Sequence, residues 1–256
     1  HMIDLSNKTI LVTGASKGIG AAIVQTLSKF NANIIAQYCS DETGMEQVIS
    51  SCAETNIVTY QADFKKEKEV ENLWKKSIRW RNGVDVLINN AAIIRFEGGI
   101  DDSDHIWKKT WDDTLAVNLM APCNLMKKAV SHYKKKGGGI IITISSWVAH
   151  RGPGSPSTIA YSASKSAVMN ATKTIARHYA EENILTYTVS PGVVRTLMSE
   201  EYAMSTNGED AITQSLAMKE WVPPSDLANL VSYLSSGSCR HLTGATLDVN
   251  GASYLR

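Results

Sequence analysis

Tyr161 and Lys165 stand four residues apart in Tyr-Ser-Ala-Ser-Lys, far downstream of the turn Thr13-Gly14-Ala15-Ser16-Lys17-Gly18-Ile19-Gly20. On one helix that spacing puts a phenol and an ammonium on the same face, one turn apart. A cation beside a phenol favours the phenolate and draws down a pKa that ordinarily lies near ~10. Such a tyrosine would serve as an acid or base near neutral pH. The glycines suit a different task. Between a strand and a helix they let the backbone pass close to a pyrophosphate, whose charge then sits at the helix N-terminus. The Gly14-x-x-x-Gly18-x-Gly20 spacing departs from the common Gly-x-Gly-x-x-Gly, so a plain strand-to-helix turn is the rival reading.

The elements that must position these groups alternate strand and helix along the chain. Residues 9–13 read as a buried strand, and the turn opens a helix over 19–30. Further strands are expected at 33–37, 57–61, 84–88, 140–144, 185–189 and 246–249. Helices are expected at 46–54, 67–78 and 162–180, with another helical region between the fourth and fifth strands. Short apolar runs separated by helices imply an α/β, doubly wound, Rossmann-type fold with a mainly parallel sheet covered on both faces. No repeat or linker divides the chain, so residues 3–256 read as a single domain and His1-Met2 as an expression-vector remnant. The irregular stretch 196–221, just after Pro191-Gly192, is the candidate for a mobile lid.

Composition excludes several classes. A formal net charge of +1 over 256 residues does not suggest a nucleic-acid or anionic-membrane surface. Runs such as Lys65-Lys66-Glu67-Lys68-Glu69 and Lys134-Lys135-Lys136 read as solvated helix ends. Cys39, Cys52, Cys123 and Cys239 are scattered, with no Cys-x-x-Cys, so neither a disulfide framework nor a metal site is expected and a reducing cytoplasm fits. No stretch is apolar for long enough to span a membrane, and the N-terminus lacks a signal-peptide pattern.

Thr-Gly-x-x-x-Gly-x-Gly, Asn89-Asn90-Ala91-Ala92, Tyr161-x-x-x-Lys165 and Pro191-Gly192 occur in the order used by short-chain dehydrogenases/reductases. The chain resembles that family almost end to end, closing with Thr243-Gly244 and Asp248-Val249-Asn250-Gly251. The resemblance implies that Tyr161 is the catalytic acid/base and that Lys165 binds a ribose and lowers the tyrosine's pKa. It matches Asn118 to the asparagine that holds a relay water, and Ser146 to the serine that hydrogen-bonds the substrate oxygen. These roles suit carbonyl reduction, in which hydride arrives from a nicotinamide while the oxygen gains negative charge. Alternatives stay open. Ser145 adjoins Ser146, Asn118 could instead brace the chain, and Asn89 and Asn90 could tie loops together.

The same resemblance implies a set of cofactor contacts. In the glycine turn these are Gly14, Ser16, Lys17, Gly18, Ile19 and Gly20. At later strand ends they are Tyr38, then Asp63 and Phe64, then Asn90 and Ala91, with Tyr161 and Lys165 on the long helix. Asp63 matches the acid near the adenine, although helix capping would also explain it. Beyond the sixth strand they are Pro191, Gly192, Val194 and Thr196. Two features depart from the family pattern. Ala92 stands where glycine is usual, and the segment 147–160 is a couple of residues longer than usual.

NAD-using relatives place an acid at the end of the second strand, where it bonds the ribose 2′-hydroxyl. Tyr38 holds that position here, and Lys17 offers a positive charge to a 2′-phosphate, so NADP is favoured over NAD, with Asp41 nearby as the contrary sign. Arg95, Trp147, His150 and Arg151 follow strand ends and are expected at the pocket mouth, where two arginines would suit an anionic carbonyl or alcohol. The expected partner is therefore a small-molecule substrate, with no nucleic acid and no membrane. The resemblance also implies a homotetramer built partly through helix 162–180. A cofactor-binding sensor or scaffold without turnover is the rival reading, opposed by the intact Asn118, Ser146, Tyr161 and Lys165. A third, an epimerase working by transient oxidation, would need the C-terminal substrate region of longer relatives.

Overall fold

A computed structural model describes residues 3–53 and 56–256. His1 and Met2 lie outside them, as does Glu54 at the end of the expected second helix. The elements run β1 (Thr9–Val12), α1 (Gly18–Lys29), β2 (Asn33–Tyr38), α2 (Glu42–Ser50), β3 (Ile57–Gln61) and α3 (Glu67–Arg79). The second half of the sheet begins with β4 (Val86–Asn89), α4 (Asp104–Leu115), a π-turn at Ala116–Met120, α5 (Ala121–Lys136) and β5 (Gly139–Ile144). Then follow α6 (Val148–Arg151), α7 (Ile159–Tyr179), β6 (Ile184–Pro191), α8 (Leu197–Ser205), α9 (Glu209–Ser215), α10 (Pro224–Ser236) and β7 (Thr246–Val249).

Among the described residues seven strands form one parallel sheet, in the order β3-β2-β1-β4-β5-β6-β7. The alternation of side chains along each strand divides the core in two. Ile10 and Val12 face Ile23, Leu27, Val231 and Leu234, beneath α1 and α10. Leu11 and Leu87 face Leu73, Leu125, Met126 and Tyr133, beneath α3 and α5. Burial on both faces explains the unbroken apolar runs of the strands. The winding reverses between β1 and β4, so a crevice opens at their carboxyl ends, where a doubly wound sheet holds its ligands.

Two expectations need correction. The second helix spans Glu42–Ser50 rather than 46–54, because the Asp41 carboxylate accepts from Gly44 N at 3.0 Å and starts it early. The stretch 196–221 is not irregular: it holds α8 and α9. Thr196 caps α8 by accepting from Ser199 N, and Ala203, Leu216 and Trp221 form a small core of their own with Trp147.

Candidate active site

The glycine turn is shaped by close approach. Gly14 adopts φ +65°, and a Cβ there would lie 2.8 Å from Ala91 Cα; a Cβ on Gly20 would run into the Gly14 carbonyl oxygen. Lys17, exposed and extended, precedes α1, whose first turn has no side-chain cap, so its amides are left for an outside acceptor. The pyrophosphate of a dinucleotide fits this cradle. Replacing Gly14 with alanine combines the left-handed strain with the Ala91 clash. The expected loss is at least about 1–2 kcal/mol, read as a lower urea midpoint with an unchanged slope.

Side chains tie the turn to its neighbours. Thr13 Oγ1 accepts from Asn90 N and Ala91 N, each at 3.0 Å, and Asn90 Nδ2 donates to the carbonyls of Thr13 and Gly14. Asn89 is buried, and its amide makes no hydrogen bond among the described residues. Gln37, which the sequence reading passed over, accepts from Gly14 N and donates to Ala62 O, both at 2.8 Å. Its only signal is a glutamine directly after the apolar run Ile34-Ile35-Ala36. Tyr38 is half-buried at the end of β2 and packs on the first core. Asp63 does not cap α3, whose cap position is Lys66; its carboxylate accepts from Lys65 N at 3.0 Å. Phe64 is buried in the second core. Ser16 is half-exposed beside Lys17, and Ile19 packs on the first core.

Across the crevice, α7 carries Tyr161 and Lys165 as a one-turn pair. Ser146 Oγ accepts from Val148 N at 3.3 Å, and Ser146 lies near enough to Tyr161 to pull its phenol's pKa down slightly. Ser145 instead donates to Lys165 O at 3.0 Å. Lys165 is buried, donates from Nζ to Ile144 O at 2.8 Å, and holds its ammonium 5.7 Å from the Tyr161 ring centre. Asn118, on the π-turn, braces the loop after β4: Oδ1 accepts from Ile93 N at 2.8 Å, and Nδ2 donates to Ile93 O and Ser164 Oγ. Ser164 donates in turn to Tyr161 O at 2.7 Å. The bracing alternative therefore describes the Asn118 side chain.

One electrostatic expectation is overturned. Burial pushes the Tyr161 phenol up to about 12, only partly offset by the nearby Ser146. Burial likewise pulls Lys165 down to about 8. The phenol is not drawn down towards neutrality, because burial dominates the titration of both groups. At neutral pH the pair is a neutral phenol beside a cation.

Beyond β6, Pro191 ends the strand, Gly192 N donates to Val249 O, and Val194 is buried and pairs with Val222. Thr196 lies against the glycine turn, its Cγ2 3.3 Å from where a Gly18 Cβ would sit. The two expected cofactor segments thus meet. The two arginines do not. Arg95 leans towards Asp113 of α4 at 3.9 Å, while Arg151 stacks over Trp147 at 4.7 Å and Tyr254 at 5.9 Å. An anion clamp built from both is not formed, since each guanidinium has its own partner on a different element.

The family model for short chain dehydrogenases matches residues 8–206. The chain belongs to the short-chain dehydrogenase/reductase family. It is 32% identical over 253 residues to human Dehydrogenase/reductase SDR family member 4, covering 98% of this chain and 89% of that one. It is 31% identical over 255 residues to the 3-oxoacyl-(acyl-carrier-protein) reductase FabG of Staphylococcus epidermidis, covering 97% of this chain and 100% of the relative. A short chain dehydrogenase from Burkholderia cenocepacia, solved in complex with NADP, superposes with a TM-score of 0.87 at 27% identity, covering 98% of this chain and 99% of that one. This short-chain dehydrogenase/reductase is accordingly an enzyme acting on CH–OH and C=O groups with NAD(P) as hydride carrier. Among the described residues no helix is long and apolar enough to cross a membrane, and no His/Cys/Asp/Glu grouping could hold a metal ion.

Proposed function

We propose that the enzyme interconverts a carbonyl and a secondary alcohol using NADP(H), with Tyr161 as the acid/base. The observation that carries this reading is the buried Tyr161–Lys165 pair, with the ammonium 5.7 Å from the ring centre, Ser146 near enough to the phenol to favour its ionised form, and the glycine cradle across the crevice. When bound, the nicotinamide supplies or takes up the hydride. The chain supplies the rest. Ser146 and Tyr161 aim hydroxyl donors at one oxygen, which stabilises the negative charge that grows there. Tyr161, neutral at physiological pH, holds the proton that this oxygen requires. Lys165 keeps a positive charge beneath the site, and Asn118 with Ser164 fixes the main chain that carries Tyr161.

The Gly14–Gly20 turn, with Ser16 and Ile19, is assigned to the pyrophosphate. Tyr38, Asp63 and Phe64 border the adenosine, Asn90 and Ala91 the nicotinamide ribose, and Pro191, Gly192, Val194 and Thr196 the carboxamide. NADP is favoured over NAD by Tyr38 where a carboxylate would stand, by the exposed Lys17, and by the Asp41 carboxylate being engaged as a helix cap. The NADP-bound relative agrees. α8 and α9 form the lid. Small residues along α7 suit close packing in a homotetramer, and light scattering would report a fourfold mass. The same reading places the enzyme in the cytoplasm.

Thermal unfolding over NADPH and NADH concentration series tests the cofactor assignment. A ligand at a hundredfold excess over Kd stabilises the native state by about 2.7 kcal/mol. NADPH is expected to raise the midpoint at far lower concentration than NADH, and Lys17→Ala to bring the two series together. Equal responses to both cofactors in the unmodified protein would refute the NADP assignment, and no response to either would favour the sensor or scaffold.

A further inference from the structure

We infer that Phe96 and Tyr202 form an aromatic gate over the catalytic pair and set the size of ketone substituent that the enzyme admits. This rests on the proposed carbonyl chemistry at Tyr161. Three segments meet at the gate, and each is rooted in the site. The loop after β4 is held by Asn118 through both main-chain groups of Ile93, and it leads directly to Phe96. The segment 147–158 joins Ser146 to α7 and is fastened there by Ser162 Oγ donating to Val148 O and Ser166 Oγ to Ala149 O. α8 starts at Thr196, against the glycine turn, and carries Tyr202.

Their far ends converge. The Phe96 and Tyr202 rings are 6.1 Å apart at a tilt of 35°, and both are half-buried. The Tyr202 hydroxyl lies 3.0 Å from where a Gly154 Cβ would sit, and a Cβ on Gly99 would lie 3.2 Å from Pro156 O. Loop and lid helix therefore meet ring to ring, the insertion approaches the lid at the Tyr202 hydroxyl, and loop and insertion approach each other at Gly99 and Pro156. The Tyr202 hydroxyl makes no hydrogen bond among the described residues, so the ring makes the contact rather than the phenol. Two rings in contact hold each other by a weak force, so the gate can part without melting α8. A compact ketone passes beneath it, whereas a large one must displace it. With Arg95 and Arg151 engaged elsewhere, the geometry points to uncharged, compact ketones as the substrate class.

The experiment compares NADPH-dependent reduction of butanone and 2-acetonaphthone by the unmodified enzyme, Phe96→Ala, Tyr202→Ala and Tyr202→Phe. Removing either ring is expected to raise the kcat/KM ratio of the naphthyl ketone to butanone by at least about 10-fold, the scale of a few methylenes in a pocket. Tyr202→Phe keeps the original ratio. Hydrogen exchange across 197–205 should show α8 equally protected in every variant. A ratio that is unmoved or falls overturns the gate, as does a change in Tyr202→Phe equal to that in Tyr202→Ala, or a change that appears only where α8 loses protection. Turnover with an unmoved ratio defeats the gate alone. An unmodified enzyme that binds NADPH but reduces neither ketone defeats the carbonyl-reductase reading together with the gate.

Discussion

Tyr161→Phe is expected to lower kcat/KM for ketone reduction by about 10²–10⁴-fold, the range typical of a positioned general acid. The substitution removes one oxygen from a ring that is otherwise kept. Burial holds the phenol at about 12, so at pH 7 it carries its proton and is in the donating form for reduction. Without it, the oxygen of a bound ketone keeps the Ser146 hydroxyl but has no acid to complete the alcohol. Ser146→Ala should cost less, about 10²-fold, because it removes one donor and leaves the proton source in place. The double variant should fall short of the product of the two losses, since the groups act as a unit. Loss of the hydroxyl should change stability by no more than about 1–1.5 kcal/mol. Initial rates with NADPH, alongside unfolding midpoints, separate the two effects. A Tyr161→Phe enzyme that keeps more than a tenth of its kcat/KM would remove the tyrosine from its proposed role.

What could be read from the chain depended on whether a feature is local. Gly14 and Gly18 announce themselves because left-handed backbone beside a neighbouring strand admits little else. Tyr161 and Lys165 share a helix face whatever surrounds them, and the apolar runs of β1, β2 and β5 require burial on both sides. α2 was misplaced because Gly44 inside a nine-residue helix masked its start at Asp41. The stretch 196–221 reads as irregular because α8 and α9 are short and pack in a small core that includes Trp147, which is remote in sequence.

The site's supporting contacts were hidden for the same reason. Gln37 meets Gly14 across 23 residues, Asn118 meets Ser164 across 46, and Phe96 meets Tyr202 across a still longer span. No spacing rule reaches so far. Arg95 and Arg151 both follow strand ends and so read as one feature, but the direction of each side chain is set by partners such as Asp113 and Trp147. The acidity of Tyr161 was misjudged because helix geometry shows which cation lies one turn away, and says nothing of how much water the fold removes.

Lys165→Met is expected to abolish reduction yet make the protein more stable at neutral pH. Its ammonium is buried with one carbonyl partner, and burial lowers its pKa from 10.5 to about 8. Below pH 8 both folded and unfolded chains hold this proton, and the folded state bears the full cost of the buried charge. Between 8 and 10.5 the native lysine has released a proton that the unfolded chain still binds, so stability from this group rises with pH. Tyr161 acts in the opposite sense and higher up: from 10 to about 12 the native phenol keeps a proton that the unfolded chain has lost, so stability falls. Urea unfolding at pH 7 and at pH 9.5 isolates the lysine. Methionine fills a similar volume, and after the lost hydrogen bond to Ile144 the gain at pH 7 should be about 2 kcal/mol, shrinking below about 1 kcal/mol at pH 9.5. Activity of the unmodified enzyme should run the other way, falling above pH 8 as the charge beneath the phenol is lost. A variant no more stable than the parent at pH 7 would mean that the ammonium is not held at a cost, and the assignment of Lys165 as a strained, function-serving cation would fail.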